Sequence, residues 1–355
     1  MRRMTNRERV LTAINRQQPD KVPKTASFTA AIMELFKQKT GGKVSPHEYF
    51  KMEPCGVGFK ATEQKTDFRK FFDDLPQNAA INEWGTAHVP GRVHHFTHRR
   101  FPMEKFDSAA QVEEYPWPDM KAPYRHAHLE EQVKKLHDNN EFVGGSVAHI
   151  FETAWQVRGM DTLLMDFVMR PAIAAAVLDH ITDLKAFVAR RMAEANVDML
   201  HCGDDVGMQD RMMMSPDMWR EWFKPRWTKV IAAAREVKPG IHAFYHSDGF
   251  IEPIIPDLIE IGITVLNPVQ PECMDPANLK KEYGDRLAFW GTIGTQTTMP
   301  FGTPEEVRQT VKERIETVGK GGGLVLAPTH ILEPEVPWEN IVAFFDAVEE
   351  FGRYE

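Results

Sequence analysis

Cysteine is scarce in this chain of 355 residues, and the arrangement of the three that occur argues against a disulfide framework. Cys55, Cys202 and Cys273 lie far apart, and no CxxC pair suggests a redox or zinc-ribbon motif. Sparse, unclustered cysteines are typical of proteins in a reducing compartment. We therefore expect a cytoplasmic protein that is held together by its apolar core.

A basic charge balance and long apolar runs are also missing. The formal net charge is −8 at pH 7, which argues against nucleic-acid binding because neutralising phosphates requires a basic face. No apolar run approaches the roughly 18–20 residues that span a bilayer, so no membrane association is predicted. The first 23 residues are charged and lack the apolar core of a signal peptide, so no cleaved leader is expected.

The first part of the chain divides into a helical start and an irregular stretch. Thr5 and Glu8 have the spacing of a capping box, and the apolar residues that follow recur at helical intervals. Residues from about 50 to 120 are rich in Pro, Gly and aromatic residues. Short alternating runs there, such as AHVPGRVHHFTH, predict hairpins or an irregular excursion. No linker or sharp change of composition divides the chain, so residues 1–355 are expected to form a single domain.

From about residue 141 onward, strand-like and helix-like segments alternate regularly. The strand candidates are continuous apolar runs at 141–148, 197–205, 241–249, 264–270, 287–293 and 322–330. Such strands, alternating with helices, are typical of a parallel sheet covered on both faces. The pattern favours a (β/α)8 TIM barrel, with a doubly wound open sheet as the alternative. The glycine-rich turn of a dinucleotide-binding unit is missing, because GKGGG at 319–323 precedes a strand and opens no helix.

Chemistry-bearing residues cluster at the ends of five of these strands. They are Asp204 and Asp205, His246 and Asp248, Asn267 and Gln270, Gly291 and Thr292, and His330. In a (β/α)8 barrel the carboxyl ends of the strands converge on one face, and that face holds the active site. We therefore predict that these residues share one site at the mouth of the barrel.

Three of these side chains have the ligand types of a divalent metal site. The two imidazoles and one carboxylate of His246, Asp248 and His330 suit zinc with an open position, and they also resemble a two-histidine, one-carboxylate iron site. Without a metal, the same residues would donate and accept protons, because a carboxylate sets the pKa of a neighbouring histidine.

Each of these residues also has a structural interpretation, which stays open at this point. His246 could hydrogen-bond to strand backbone. At least one of Asp204 and Asp205 is expected to cap the following helix or bind a backbone turn. Asn267 could bridge the ends of neighbouring strands.

An ordered series of motifs carries a resemblance to a known family. The motifs are RERVLTAINRQQPDKVP, NEWGT, YPWPD, GDDVGMQ, SPDMWREWFKPRW, YHSDG, IEIGITVLNPVQPECMDP, FWGTIGTQTTMPFGTPEEV and GGGLVLAPTHIL. In them the chain resembles the uroporphyrinogen decarboxylase superfamily, and specifically its branch of corrinoid-linked methyltransferases. The resemblance covers nearly the full length. It implies a (β/α)8 barrel of the uroporphyrinogen decarboxylase type and a corrinoid protein as partner.

Two departures from the family pattern bear on the reaction. Porphyrinogen decarboxylases carry an arginine-bearing stretch soon after the first strand, whereas the segment here, KVPKTASFTAAIMELF, has no arginine to bind substrate carboxylates. The thiol-methylating branch places zinc on a His-x-Cys pair and a later cysteine. By this resemblance His246 matches the first ligand, and Asp248 and His330 stand where the cysteines would be.

The replaced cysteines point to an oxygen substrate. Imidazole and carboxylate ligands leave a metal better able to polarise oxygen than thiolates do. We expect demethylation of a methyl ether, aromatic ethers included, with the methyl passed to a reduced corrinoid (cobalamin) on a partner protein. The metal or a protonated histidine would stabilise the departing oxygen. The candidate catalytic residues are His246, Asp248, His330, Asp204 and Asp205, and the candidate substrate-binding residues are Asn267, Gln270, Trp84 and Trp290.

Two other functions remain open. A decarboxylase, on porphyrins or other substrates, would use Asp204, Asp205 or His330 as its acid. A non-catalytic barrel that binds a corrinoid or tetrapyrrole would have little need of polar groups on five strand ends. The oligomeric state also stays open, with a homodimer as one expectation.

Overall fold

The structure is a computed structural model, and it describes residues 3–90 and 97–354. Within these ranges the strands are β1 (Pro54–Val57), β2 (Ala80–Ile81), β3 (Ala87–Pro90), β4 (Thr97–Arg100), β5 (Phe142–Ala148), β6 (Met199–Gly203), β7 (His242–His246), β8 (Val265–Asn267), β9 (Ala288–Ile293) and β10 (Leu324–Pro328). The centre of the predicted hairpin AHVPGRVHHFTH, residues 91–96, lies outside the described residues.

The helices of the first half of the chain are α1 (Asn6–Ile14), α2 (Ala30–Thr40), α3 (Pro46–Tyr49), α4 (Ala109–Glu113), α5 (Leu129–Asp138), α6 (Phe151–Arg158), α7 (Met160–Met169) and α8 (Pro171–Glu194). Those of the second half are α9 (Pro216–Trp222), α10 (Lys224–Arg235), α11 (Ile255–Glu260), α12 (Pro276–Tyr283), α13 (Thr298–Phe301), α14 (Pro304–Thr317) and α15 (Trp338–Phe351). Within the described ranges, no helix combines the length and apolar character that crossing a bilayer requires.

Seven parallel strands form the wall of a barrel in the order β1-β5-β6-β7-β8-β9-β10. The stretch around Lys24 takes the place of an eighth strand. The Leu326 N–H of β10 donates to the Pro23 carbonyl at 2.9 Å, and the Glu53 N–H, just before β1, donates to the Lys24 carbonyl at 3.3 Å. The ring therefore closes, and the strands follow one another around it in chain order. The predicted (β/α)8 barrel is confirmed, and the doubly wound sheet is excluded.

Helix α1 closes the amino-terminal end of the barrel. Its predicted capping box is present, with Thr5 and Glu8 each bonding the other's backbone N–H. Val10, Ala13 and Ile14 of this helix are fully buried. They pack against side chains that point into the barrel from the strands, namely Phe142, Met199, Phe244, Val265, Ala288, Trp290, Val325 and Ala327. Because this end is plugged, the carboxyl ends of the strands form the accessible mouth.

The predicted excursion near 50–120 contains a small antiparallel sheet, β2-β3-β4. The same stretch contains β1, a strand of the barrel wall that the sequence pattern did not distinguish from the excursion. β1 pairs in parallel with residues 142–145 of β5. This strand has only four residues, PCGV, and its proline and glycine break the apolar run that marked the later strands.

Candidate active site

His246 and Asn267 end the neighbouring strands β7 and β8, so their side chains lie side by side at the barrel mouth. His246 Nδ1 lies 2.5 Å from Asn267 Oδ1, and Asn267 Nδ2 donates to the Trp290 carbonyl at 2.8 Å. Because a carbonyl only accepts, the amide nitrogen faces Trp290 and the amide oxygen faces His246. Nδ1 of His246 therefore carries a proton, and in the neutral ring Nε2 is an acceptor or a metal ligand.

Two carboxylates face this free nitrogen. His246 Nε2 lies 3.4 Å from Asp205 Oδ1 and 3.9 Å from Asp248 Oδ1. Asp205 Oδ1 also accepts from the Asp248 N–H at 2.9 Å, which fixes the acid relative to the loop after β7. The site thus combines one imidazole nitrogen with two carboxylates from the ends of two adjacent strands.

The position of Gly203 allows β6 and β7 to approach this closely. Its φ is +145°, and a Cβ built on it would lie 2.1 Å from the His246 carbonyl oxygen. A larger residue would therefore push against the backbone that carries His246. Only glycine satisfies both the backbone angle and the space at this point.

Among the described residues, Asp205, His246 and Asp248 each offer a ligand atom within 4.8 Å of the other two. The set predicted from sequence had His330 as its third member. In the structure His330 lies at the edge of this group, with its Nε2 3.9 Å from Asp248 Oδ2. Asp205 takes the third place because the Asp248 backbone turns its carboxylate toward His246. Both histidines nevertheless meet at Asp248, above the same opening.

The donor set fits a hard or borderline divalent ion. It consists of nitrogen and oxygen atoms, which suit zinc and similar metals. Asp248 Oδ1 is buried without a hydrogen-bond partner among the described residues. Burial raises the pKa of Asp248, the Asp205 carboxylate raises it further, and His246 acts in the opposite direction. A cation at this point would satisfy the unpaired oxygen and relieve the repulsion between the two acids.

Asp204 turns away from the mouth and is fully buried. Its Oδ1 accepts from the N–H groups of Ile150 and Phe151 at 2.8 and 2.7 Å, and its Oδ2 accepts from Trp227 Nε1 at 2.7 Å. Burial, followed by the neighbouring Glu152 carboxylate, raises the pKa of Asp204 well above its usual value. These contacts tie the end of β6 to the start of α6, so Asp204 has a structural contact with backbone, as considered for one member of the pair, but at a helix that precedes it in the chain and not at the following one.

His149 and Glu152 adjoin the site and were missed in the sequence. Glu152 Oε1 accepts from the Asp205 N–H at 2.7 Å and lies 3.2 Å from His149 Nδ1. Burial acts to lower the pKa of His149, but its contacts with Glu152 and the Gly203 carbonyl outweigh burial and raise it. The ring centroids of His149 and His246 are 6.4 Å apart. His149 directly follows β5, so the strand-end criterion would have found it.

The four candidate substrate-binding residues are placed differently from one another. Asn267 orients His246, and Gln270 accepts from the Gly249 N–H at 2.6 Å and so holds the loop that carries Asp248. The Trp290 side chain is 4% exposed and packs inside the barrel, so its backbone carbonyl, not its ring, serves the site. Trp84 packs edge-on against Trp117, and Lys185 Nζ lies 5.1 Å from the centroid of its ring.

A cavity of about 250 Å³ opens beside Asp248 and His330. Its other lining residues are Gln270, Thr295, Gln296, Ile331, Glu333, Glu335 and Val336. The loop after β10 therefore supplies more than His330, because Glu333 and Glu335 also face this space. A small molecule held there would have its reacting atoms next to the proposed metal ligands.

Comparisons with known proteins agree with the barrel fold. The sequence profile of the family described as uroporphyrinogen decarboxylase (URO-D) matches residues 100–351. The chain is 31% identical over 174 residues to the methylcobamide:CoM methyltransferase MtaA of Methanosarcina barkeri, covering 49% of this chain and 48% of that protein. It is 27% identical over 177 residues to a uroporphyrinogen decarboxylase of Psychromonas ingrahamii, covering 46% and 47%. The chain thus spans about half the length of the curated relatives it matches.

A solved structure extends the likeness of fold to nearly the whole chain. A methyltransferase from Methanosarcina mazei superposes with a TM-score of 0.70 over 98% of this chain and 99% of that one, at 20% sequence identity. At this identity the match supports the barrel fold alone. The sequence matches confirm the predicted resemblance to the uroporphyrinogen decarboxylase superfamily and its corrinoid-linked methyltransferases.

Proposed function

Because the chain belongs to the uroporphyrinogen decarboxylase family, we propose that it is a corrinoid-dependent methyltransferase that demethylates a methyl ether. The methyl group would pass to a reduced corrinoid carried by a partner protein. The relatives named as methylcobamide methyltransferases support the corrinoid part of this proposal. The choice of an ether depends on the chemistry of the site.

The observation that carries the choice is the donor set at the mouth. By the family resemblance, Asp248 and His330 stand where the thiol-methylating branch has cysteines, and Asp205 adds a second carboxylate beside His246. We place a divalent ion, with zinc as the first candidate, between Asp205, His246 and Asp248, with His330 beside it. When bound with such ligands, the ion supplies a Lewis acid suited to polarising an ether oxygen.

The chain's own residues would prepare this reaction by positioning. Asn267 keeps Nε2 of His246 directed at the site, and the Asp248 N–H keeps Asp205 beside it. His330, with 48% of its side chain exposed, lines the cavity and can donate a hydrogen bond or proton to the departing oxygen. The substrate would lie in the cavity with its ether oxygen toward Asp248.

The decisive experiment combines metal analysis with methyl transfer from 2-methoxyphenol to reduced cobalamin. We expect His246→Ala to lose both the bound metal and the transfer. His242→Ala is the matched control, because His242 begins the same strand β7 at the closed end of the barrel. Unchanged metal content and unchanged transfer in His246→Ala would refute the proposal. Consumption of uroporphyrinogen by the unmodified protein would instead support the decarboxylase alternative.

A further inference from the structure

A second group of metal-ligand side chains lies at the closed end of the barrel, away from the site described above. His47 is in α3, Cys55 is in β1, and Glu141 immediately precedes β5. One ligand atom of each lies within 4.8 Å of the other two. We propose that these three residues bind a zinc ion that links α3 to the barrel wall. This inference does not depend on the proposed methyl transfer.

The distance between two of the ligand atoms already matches a zinc complex. Cys55 Sγ lies 3.5 Å from His47 Nε2. Zinc–sulfur and zinc–nitrogen bonds of about 2.3 and 2.0–2.1 Å, meeting at a tetrahedral angle, hold the two atoms roughly 3.5 Å apart. A direct thiol–imidazole hydrogen bond would span the same distance, so experiment must separate the two arrangements.

The surrounding structure holds each ligand in place. Cys55 is fixed by the pairing of β1 with Val143 in β5. The Glu141 carboxylate accepts from Asn6 Nδ2 at 3.0 Å through Oε2. The His47 carbonyl accepts from the Met52 N–H at 3.0 Å, which anchors the turn after α3. Ligands held in advance by their own neighbours lose little freedom when a metal binds.

The chemistry of this group differs from that of the barrel mouth. Thiolate, imidazole and carboxylate together form a zinc-type set with a fourth position left for water. All three residues are partly exposed, so an ion has access to them.

Cobalt(II) in place of zinc provides the test, because a bound thiolate gives an intense charge-transfer absorption that oxygen and nitrogen ligands do not give. We expect the full chain to show this absorption when it is titrated with Co²⁺. Cys55→Ser should abolish it. His47→Ala and Glu141→Gln should weaken Co²⁺ binding at this site at least tenfold, because each removes a ligand and losing even a residue that only supports a ligand costs roughly 10–100-fold.

Two further variants assign the absorption to one place. His246→Ala removes a ligand of the site at the mouth and should leave the band intact. Cys273→Ser should also retain it, because Cys273 Sγ lies 3.8 Å from Gln270 Oε1 at the mouth. A band that is absent from the unmodified protein, persists in Cys55→Ser, or disappears in Cys273→Ser overturns the inference. Cys55→Ser is expected to keep methyl transfer, so this test stands apart from that of the proposed function.

Discussion

Asn267 determines which nitrogen of His246 faces the barrel mouth. The two residues end different strands, yet the amide oxygen of Asn267 lies 2.5 Å from Nδ1 of the imidazole. The amide itself is locked by its bond to the Trp290 carbonyl, deeper in the barrel. The Trp290 carbonyl, through Asn267, thus fixes which nitrogen of His246 carries the proton. Such outer contacts commonly tune the affinity of metal-binding histidines.

Replacing Asn267 by alanine should therefore weaken metal binding without removing a ligand. We expect a loss of metal affinity on the order of 10–100-fold, because His246 can then rotate or carry its proton on Nε2. Competition with a chromophoric chelator measures this affinity. Asn278→Ala is the control, because Asn278 bonds Asp275 on the exposed start of α12. Equal affinities in the two variants would show that Asn267 has no such role.

The buried pair of Arg158 and Asp166 should contribute more to stability than exposed pairs do. Arg158 Nε donates to Asp166 Oδ2 at 2.7 Å, and both side chains are 0% exposed. Arg158→Met removes this bond but leaves Asp166 paired with Arg170, whose Nε lies 2.7 Å from Asp166 Oδ1, so we expect a cost of about 1.5–3 kcal/mol of unfolding free energy. Lys134→Ala, in an exposed pair with Asp138, should change it by less than about 1 kcal/mol. Urea unfolding measures both, and similar losses would contradict the prediction.

Much of the barrel could be predicted from local patterns. The capping box of α1 and the six apolar strands from β5 onward depend on residues close together in the chain, so sequence spacing reveals them. The eighth position of the wall could not be found in this way. The stretch around Lys24 contributes isolated bridges instead of a continuous ladder, and its identity depends on contacts with distant residues on β10.

The site could be predicted as a set of positions but not as a set of orientations. Asp204 and Asp205 are adjacent in sequence, yet only the structure shows which one turns inward toward Trp227 and which one faces His246. Trp290 similarly follows the strand alternation into the barrel interior. Spacing shows where a strand ends, whereas tertiary packing decides which side chains reach the opening.

Lys185 should make stability depend on pH in the alkaline range. It is 6% exposed, and burial lowers its pKa to about 8. An unfolded lysine titrates near 10.4, so between these values the unfolded chain binds more protons and stability rises with pH. In the unmodified protein we expect the free energy of unfolding to rise by about 2–3 kcal/mol between about pH 8 and 10.4 on account of Lys185, and we expect Lys185→Met to lack this rise.

Urea unfolding across this range measures the effect of Lys185. Lys312→Met, on the exposed face of α14, should keep the rise. A parallel pH dependence in the unmodified protein and in Lys185→Met would show that Lys185 is not its source.

The cavity beside the site should select substrates by charge. Glu333, Glu335 and Asp248 line it, and none of its lining residues within the described part of the chain is lysine or arginine. Methoxyphenols that differ in one substituent test this. We expect kcat/KM to fall from an aminomethyl to a hydroxymethyl to a carboxylate group, because the carboxylates that line the cavity attract a cation and repel an anion.

The preference is the ratio of kcat/KM for the aminomethyl substrate to kcat/KM for the carboxylate substrate. The double variant Glu333→Gln, Glu335→Gln should lower this ratio at least tenfold, which corresponds to about 1.4 kcal/mol. Glu339→Gln removes one charge from the exposed first turn of α15, outside the cavity, and should leave the preference unchanged. A preference of the unmodified protein for the carboxylate would contradict this prediction while leaving methyl transfer itself intact. Absence of transfer from all three substrates would instead count against the proposed reaction, because the charge of the pocket changes the ranking of ethers and not the ability to cleave them.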